Sequence, residues 1–177
     1  MNTIHTIDFE GNKRLGISEF AVVTLQNLEI VSTRWEICGG NFHKYLEYFL
    51  SLRRTGLLAA HSSQTEDDLL RRYWVSPGKV PLFAGDGTTI SWGPWMDTKL
   101  VYRKLFKSLP SYGLASLVGS FDLNSELKKL ATKHCDPRFR SFHSALFDAL
   151  AAALLVQNLR KYLPAVSNKP LLAIYKK

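Results

Sequence analysis

Three short segments of this 177-residue chain carry side chains whose types and spacing could do chemistry. The first is Thr6-Ile7-Asp8-Phe9-Glu10-Gly11. Side chains alternate along a strand, so Asp8 and Glu10 project to one side while Ile7 and Phe9 project to the other. Two carboxylates this close are unfavourable unless a cation compensates them, and carboxylate oxygens suit hard ions such as Mg²⁺ or Mn²⁺. Gly11 adds a point where backbone can approach a ligand. Taken alone the motif is weak. Eight Asp and seven Glu in the chain give roughly 0.3 Asp-x-Glu triplets by chance, and an acidic strand end facing water is the plainer reading.

The second segment is Phe142-His143-Ser144-Ala145-Leu146-Phe147-Asp148-Ala149. On a helix Asp148 shares its face with Ala145, Ala151 and Ala152, a stripe in which unpaired acids are seldom buried. Small neighbours let such a helix lie close to a sheet, so Asp148 could reach the end of the first strand and join Asp8 and Glu10. His143 lies about 140° away around an ideal helix, which places it at the helix entry, after Pro137 and the cap candidate Ser141. From there it could face the same site from the open side; a capping or surface histidine is the plainer alternative. In the third segment an apolar run, Leu57 to Ala60, leads through His61 into a helix whose first turns hold Glu66, Asp67 and Asp68. Acids in a first helical turn also simply complement the helix dipole.

Taken in order, the three segments resemble the three motifs of the DEDDh family of 3′–5′ exonucleases, the group that contains the proofreading epsilon subunit of bacterial DNA polymerase III and the RNase T-like enzymes. The resemblance runs from Ile4 to about Leu159. Thr6-Ile-Asp8-Phe-Glu10 is similar to the first motif, with Glu19-Phe-Ala-Val-Val as its second strand. Ala60-His61 is similar to the start of the second motif, and His143 to Asp148 matches the third with the spacing of the histidine subgroup. Asp97-Thr98 with Leu100, and Tyr112 to Leu117, are similar to the connecting helices. The second motif departs from the pattern: Ser62 and Ser63 replace the usual Asn-Ala, and Thr65 replaces an aromatic. The register set by His61 and Leu69-Leu70 puts the family's acid on Glu66, with Asp67 one place later.

The resemblance implies a ribonuclease H-like α/β (α+β) fold and two-metal-ion hydrolysis of phosphodiester bonds that releases nucleoside monophosphates. It implies that Asp8 bridges two Mg²⁺ or Mn²⁺ ions, that Glu10 and Asp148 complete one ion's shell, and that Glu66, or else Asp67, acts on the second. His143 is implied as the general base, a role imidazole can fill near neutral pH. Glu66 is expected to point at the metals. Asp67, about 100° further around the helix, is expected to face solvent or a basic neighbour unless the helix starts one residue later and turns it inward. Phe9, Trp92 and Trp95 are candidates for stacking on terminal bases, with loop packing the plainer reading for the tryptophans. Single-stranded or 3′-end DNA or RNA is the implied substrate, and a polymerase is a candidate partner. A catalytically inactive exonuclease-like module that binds nucleic acid or a polymerase is the alternative.

The elements that must position these residues read as follows. Ile4 to Phe9, Glu19 to Leu25 and Leu28 to Ile37 are rich in β-branched and aromatic residues and are joined by short polar links, as in an antiparallel meander. Phe42 to Leu52 has helical spacing, Leu57 to Ala60 suits a buried strand, and Thr65 to Trp74 reads as a helix. Ser76 to Pro94 is rich in turn residues and reads as a long loop. The second half reads as helices over Thr98 to Phe106, Leu114 to Val118, Ser125 to His134 and Phe142 to Leu163. A mixed central sheet, antiparallel over its first three strands and flanked by helices, follows from this order.

Composition agrees with that frame. With 46% hydrophobic residues the chain suits one folded domain over residues 1–177. Lys and Arg number 23 against 15 Asp and Glu, a net charge of +8 that favours polyanionic partners. The excess comes in pairs such as Lys13-Arg14, Arg53-Arg54 and Arg71-Arg72, a pattern usual for solvated helix faces. The longest apolar stretch falls short of a membrane span, and no secretory signal is visible, so the cytoplasm is the expected compartment and a membrane is not an expected partner. Cys38 and Cys135 stand alone, without the spacing of a disulfide framework or zinc site. The apolar segment Pro170 to Tyr175 could pack on the domain or on a second copy to form a homodimer.

Overall fold

The computed structural model describes residues 3–74, 78–81 and 88–162. Three strands, β1 (Thr3–Asn12), β2 (Gly16–Gln26) and β3 (Glu29–Ile37), form the expected antiparallel meander. The tight turn between β1 and β2 is held by Asn12, whose Oδ1 accepts from the amides of Arg14 and Leu15 at 3.0 and 2.8 Å. Gly11 sits at a bulge in this hairpin with φ +156°, and a Cβ there would lie 2.2 Å from the Gly16 carbonyl oxygen. The close approach that Gly11 permits is therefore to its own hairpin, not to a ligand.

A 3₁₀ turn (Phe42–Tyr45) and α1 (Leu46–Thr55) follow, then β4 (Leu57–Ala60), which joins β1 in parallel. Next come α2 (Ser63–Leu70) and two short strands, β5 (Gly78–Pro81) and β6 (Thr88–Ser91), paired as a separate hairpin. β7 (Trp95–Asp97) adds to β4 in parallel, giving the five-strand order β3-β2-β1-β4-β7. The described residues then continue through α3 (Thr98–Leu105), α4 (Leu114–Ser120), α5 (Asn124–His134) and α6 (Ala145–Asn158). Two expectations are corrected. The stretch from 76 to 94 holds β5 and β6 rather than only a loop, and α2 starts at Ser63 rather than Thr65. The turn residues 84–87 and the segment Pro170 to Tyr175 lie outside the described residues.

The sheet separates two cores. On one face Ile7, Phe9, Phe20 and Val22 pack against Phe42, Tyr45, Phe49 and Leu52. On the other, Ile4, Ala21, Val23 and Leu25 pack against α6, which α3, α4 and α5 cover from outside. Helix α6 is buried at thirteen of its fourteen residues, Gln157 excepted, which explains its lack of a polar face. Its alanines let it lie against β1 and β2, where Thr6 Oγ1 donates to the Ala149 carbonyl at 3.0 Å.

Candidate active site

The alternation of β1 sorts its side chains as its sequence dictates. Ile7 and Phe9 enter the aromatic core, and Asp8 and Glu10 turn toward α6. Glu66 and Asp148 come from α2 and α6 to the same end of β1, so four acids separated by up to 140 positions act on one another electrostatically. Asp8 feels Glu66, Asp148, Glu10 and Glu19, and burial together with these neighbours pushes its carboxyl well above the usual range. Burial raises Asp148 to about 6 and Glu66 to about 8, against opposing hydrogen bonds to each. Two like charges about 5 Å apart repel by about 3 kcal/mol at an effective dielectric of about 20, whereas a helix dipole returns about 1 kcal/mol at most in exposed settings. Protons or a multivalent cation must supply the difference.

Helix α6 presents Asp148 in its first turn. The His143 amide donates to Asp148 Oδ2 at 3.2 Å, while Oδ1 is buried and has no hydrogen-bond partner. His143 itself is exposed, precedes the helix, and holds φ +71°, a left-handed conformation that non-glycine residues adopt at an energetic cost. One ligand-capable atom each from Glu10, His143 and Asp148 lies within 4.8 Å of the others. The unpartnered Oδ1 and an oxygen-rich donor set fit a hard divalent ion. The cap candidate Ser141 is corrected: Ser144 precedes the first turn, and its hydroxyl is buried without capping the helix.

Helix α2 divides its two adjacent acids between two surroundings. Glu66 is buried on the site side and accepts from the Phe9 amide at 3.0 Å, which fixes it beside β1. Asp67 faces Arg71, its basic neighbour, at 2.7 Å, but it is buried rather than solvated. Its Oδ1 also accepts from Ser91 Oγ, the Trp92 amide and Trp95 Nε1 at 2.9, 2.6 and 3.1 Å. Asp67 thus ties α2 to the segment after β6. Asp97 fixes the other end of α2, accepting from the Ser63 amide and hydroxyl at 2.8 and 3.0 Å while capping α3 through Leu100. Ser62 takes φ +65°, a conformation that the asparagine usual at this position of the resemblance adopts more readily.

His61 is held by Thr98 Oγ1 and the Tyr112 carbonyl at 2.9 and 3.0 Å, and burial lowers it to about 4. Phe9, Trp92 and Trp95 are all buried, so none offers a face for base stacking. Their aromatic area goes into packing, Phe9 against Phe42 and Phe49, and Trp92 against Trp74 and Trp95. Sequence reasoning missed Glu19, which borders the site. It lies directly across β2 from Glu10, and it adds to the negative field on Asp8, Glu10 and Asp148. Counting the hairpin register outward from the Asn12 to Gly16 turn would have found it.

The raised carboxyls carry a stability signature. Between the unfolded carboxyl value and the folded one the native chain holds more protons, so stability falls as pH rises. His5 and His61, both lowered to about 4 by burial, favour the fold above the unfolded histidine value and lose that contribution as pH falls. From about pH 6.5 to about pH 8 the histidine contribution is constant, and the two strongly raised acids, Asp8 and Glu66, carry the fall. The expected result is a Tm of the metal-free chain that falls across this window and recovers on adding Mn²⁺ or Mg²⁺, with Glu66→Gln and Asp8→Asn each making the fall shallower. A flat Tm that ignores both ions would contradict the charge balance described here.

No protein-family model and no curated protein matches this sequence. Solved structures do resemble it. One is exonuclease X in complex with 5′-overhanging duplex DNA, 18% identical, with a TM-score of 0.54, covering 90% of this chain and 92% of its own. Another is a moderately thermophilic exonuclease I from Methylocaldum szegediense, 13% identical, with a TM-score of 0.56; the match covers 95% of this chain and 42% of that one. At these identities the likeness establishes the fold alone, the ribonuclease H-like fold that the motifs implied. Among the described residues no helix is long and apolar enough to cross a membrane.

Proposed function

We propose that this chain is a metal-dependent 3′–5′ exonuclease that hydrolyses nucleic-acid phosphodiester bonds and releases nucleoside monophosphates. The observation that carries the reading is the convergence of Asp8, Glu10, Glu66 and Asp148 from three distant segments on one strand end. The unpartnered Asp148 Oδ1 and the nearby ring of His143 support it. Two Mg²⁺ or Mn²⁺ ions, when bound, would activate the attacking water and neutralise charge at the leaving 3′ oxygen. Asp8, central among the acids, would hold the ions together with Glu10, Glu66 and Asp148. His143, on the solvent side, would take the water's proton on a ring nitrogen and pass it to bulk water.

A net charge of +8 supports a polyanionic substrate, with surface Lys and Arg meeting phosphates without regard to sequence. The DNA held by exonuclease X supports nucleic acid as the ligand of this fold. The test is degradation of single- and double-stranded DNA and RNA oligonucleotides carrying either a 3′ or a 5′ label. Immediate loss of the 3′ label as mononucleotide, only with Mg²⁺ or Mn²⁺, is expected. Binding without degradation would assign the chain instead as an inactive nucleic-acid-binding module, and internal or 5′-first cleavage would overturn the reading.

A further inference from the structure

We propose that Glu19 is a positioning residue that sets the His143 turn from across the sheet, an inference that rests on the exonuclease reading. Helix α6 begins at Ala145 without a cap from its own Ser144, whose hydroxyl points to no partner. The missing acceptor comes from β2: Glu19 Oε1 accepts from the Ala145 amide at 2.9 Å. The same oxygen accepts from Trp35 Nε1 of β3 at 2.7 Å. Trp35 in turn packs on Phe139, their ring centroids 5.2 Å apart, within the segment that leads from α5 to His143. The middle of that segment and the helix start that follows it therefore rest on one feature of the β2–β3 hairpin, Phe139 on the indole ring and Ala145 on the carboxylate that the indole N–H holds.

Glu19 stands opposite Glu10, where an added negative charge opposes folding. It is accommodated because two N–H donors and a helix N-terminus face it. Both donors meet Oε1, and among the described residues the group of potential ligand atoms within 4.8 Å of one another comprises Glu10, His143 and Asp148 without Glu19. The geometry thus makes Glu19 a hydrogen-bond acceptor that fixes backbone, two residues from His143, while that residue sits in its left-handed conformation. A shift of His143 by about 1 Å would lower turnover by about 10²-fold without weakening substrate binding.

The test compares Glu19→Gln, which keeps the acceptor oxygen, with Glu19→Ala, which removes it, and with Trp35→Phe, which keeps the packing on Phe139 but loses the N–H. In the full chain with Mg²⁺, Glu19→Ala is expected to lower kcat by about 10²-fold with KM little changed, and Glu19→Gln to retain kcat within about threefold. Trp35→Phe should fall between them and serves if Glu19→Ala does not fold. Hydrogen exchange at the Ala145 amide gives a readout that does not depend on activity: slow in wild type and Glu19→Gln, faster in Glu19→Ala. If wild type is inactive, the exonuclease reading fails, and unchanged exchange at Ala145 separately overturns the positioning claim. Equal loss of kcat in Gln and Ala variants would also overturn it, because the charge and not the acceptor would then matter.

Discussion

Asp8→Asn is expected to lower metal-dependent hydrolysis by about 10³-fold or more while raising the thermal stability of the metal-free chain. The two directions come from one cause. Asp8 is surrounded by Glu66, Asp148, Glu10 and Glu19, all of which oppose its ionisation. Asparagine has nearly the same size and removes that repulsion, so the fold gains. The same change removes the central charge from the acid cluster, so any divalent ion is held less tightly. A residue conserved in volume but needed only for structure would move both quantities together. Melting curves with and without Mn²⁺, beside single-turnover hydrolysis, separate the cases. Full activity in Asp8→Asn, or a fall in metal-free Tm, would reject the assignment of Asp8 to a cation site.

Glu66→Gln and Asp67→Asn are expected to divide activity from stability in opposite ways. Glu66 lies with the other acids and accepts from the Phe9 amide, a bond that glutamine can retain through its carbonyl oxygen. Its loss of charge should reduce turnover by about 10²-fold while raising the metal-free Tm, as at Asp8. Asp67 pairs with Arg71 and accepts from Ser91, Trp92 and Trp95, far from any role as a metal ligand. Asp67 is buried but Arg71 is 35% exposed, so solvent screens the arginine left behind and the loss falls below the ~3–5 kcal/mol of a fully buried pair; the weakened bonds from Ser91, Trp92 and Trp95 add to it. Asp67→Asn should therefore melt earlier, yet turn over near the wild-type rate at temperatures where it remains folded. Turnover and Tm for the pair, measured at saturating Mg²⁺, decide the matter: a large kinetic loss in folded Asp67→Asn with near-normal Glu66→Gln would reverse the assignment.

The motif residues were legible because strong local periodicities carry them. Alternation on β1 faces Asp8 and Glu10 to one side, and the alanine stripe of α6 lets Asp148 approach them. The helical wheel gives Asp67 its direction, toward the basic neighbour Arg71, but not its depth. The chain from the end of β6 into β7 buries that face through Ser91, Trp92 and Trp95, and it runs through a stretch dominated by turn chemistry. β7 escaped for the same reason: three residues are too few to show a period, and its existence depends on pairing with β4. The burial of Phe9 and both tryptophans is likewise a tertiary outcome, fixed for Phe9 by Phe42 and Phe49 and for Trp92 by Trp74 and Trp95. Glu19 shows a further limit. Its importance lies in a hydrogen bond to a residue 126 positions away, which no local spacing encodes.

The most direct test is the anomalous scattering of a crystal soaked in Mn²⁺ with a nucleoside monophosphate. The expected result is density within about 2.5 Å of carboxylate oxygens of Asp8, Glu10 and Asp148, lost in Asp8→Asn. Density elsewhere, or none at that strand end, would contradict a metal-dependent nuclease site there.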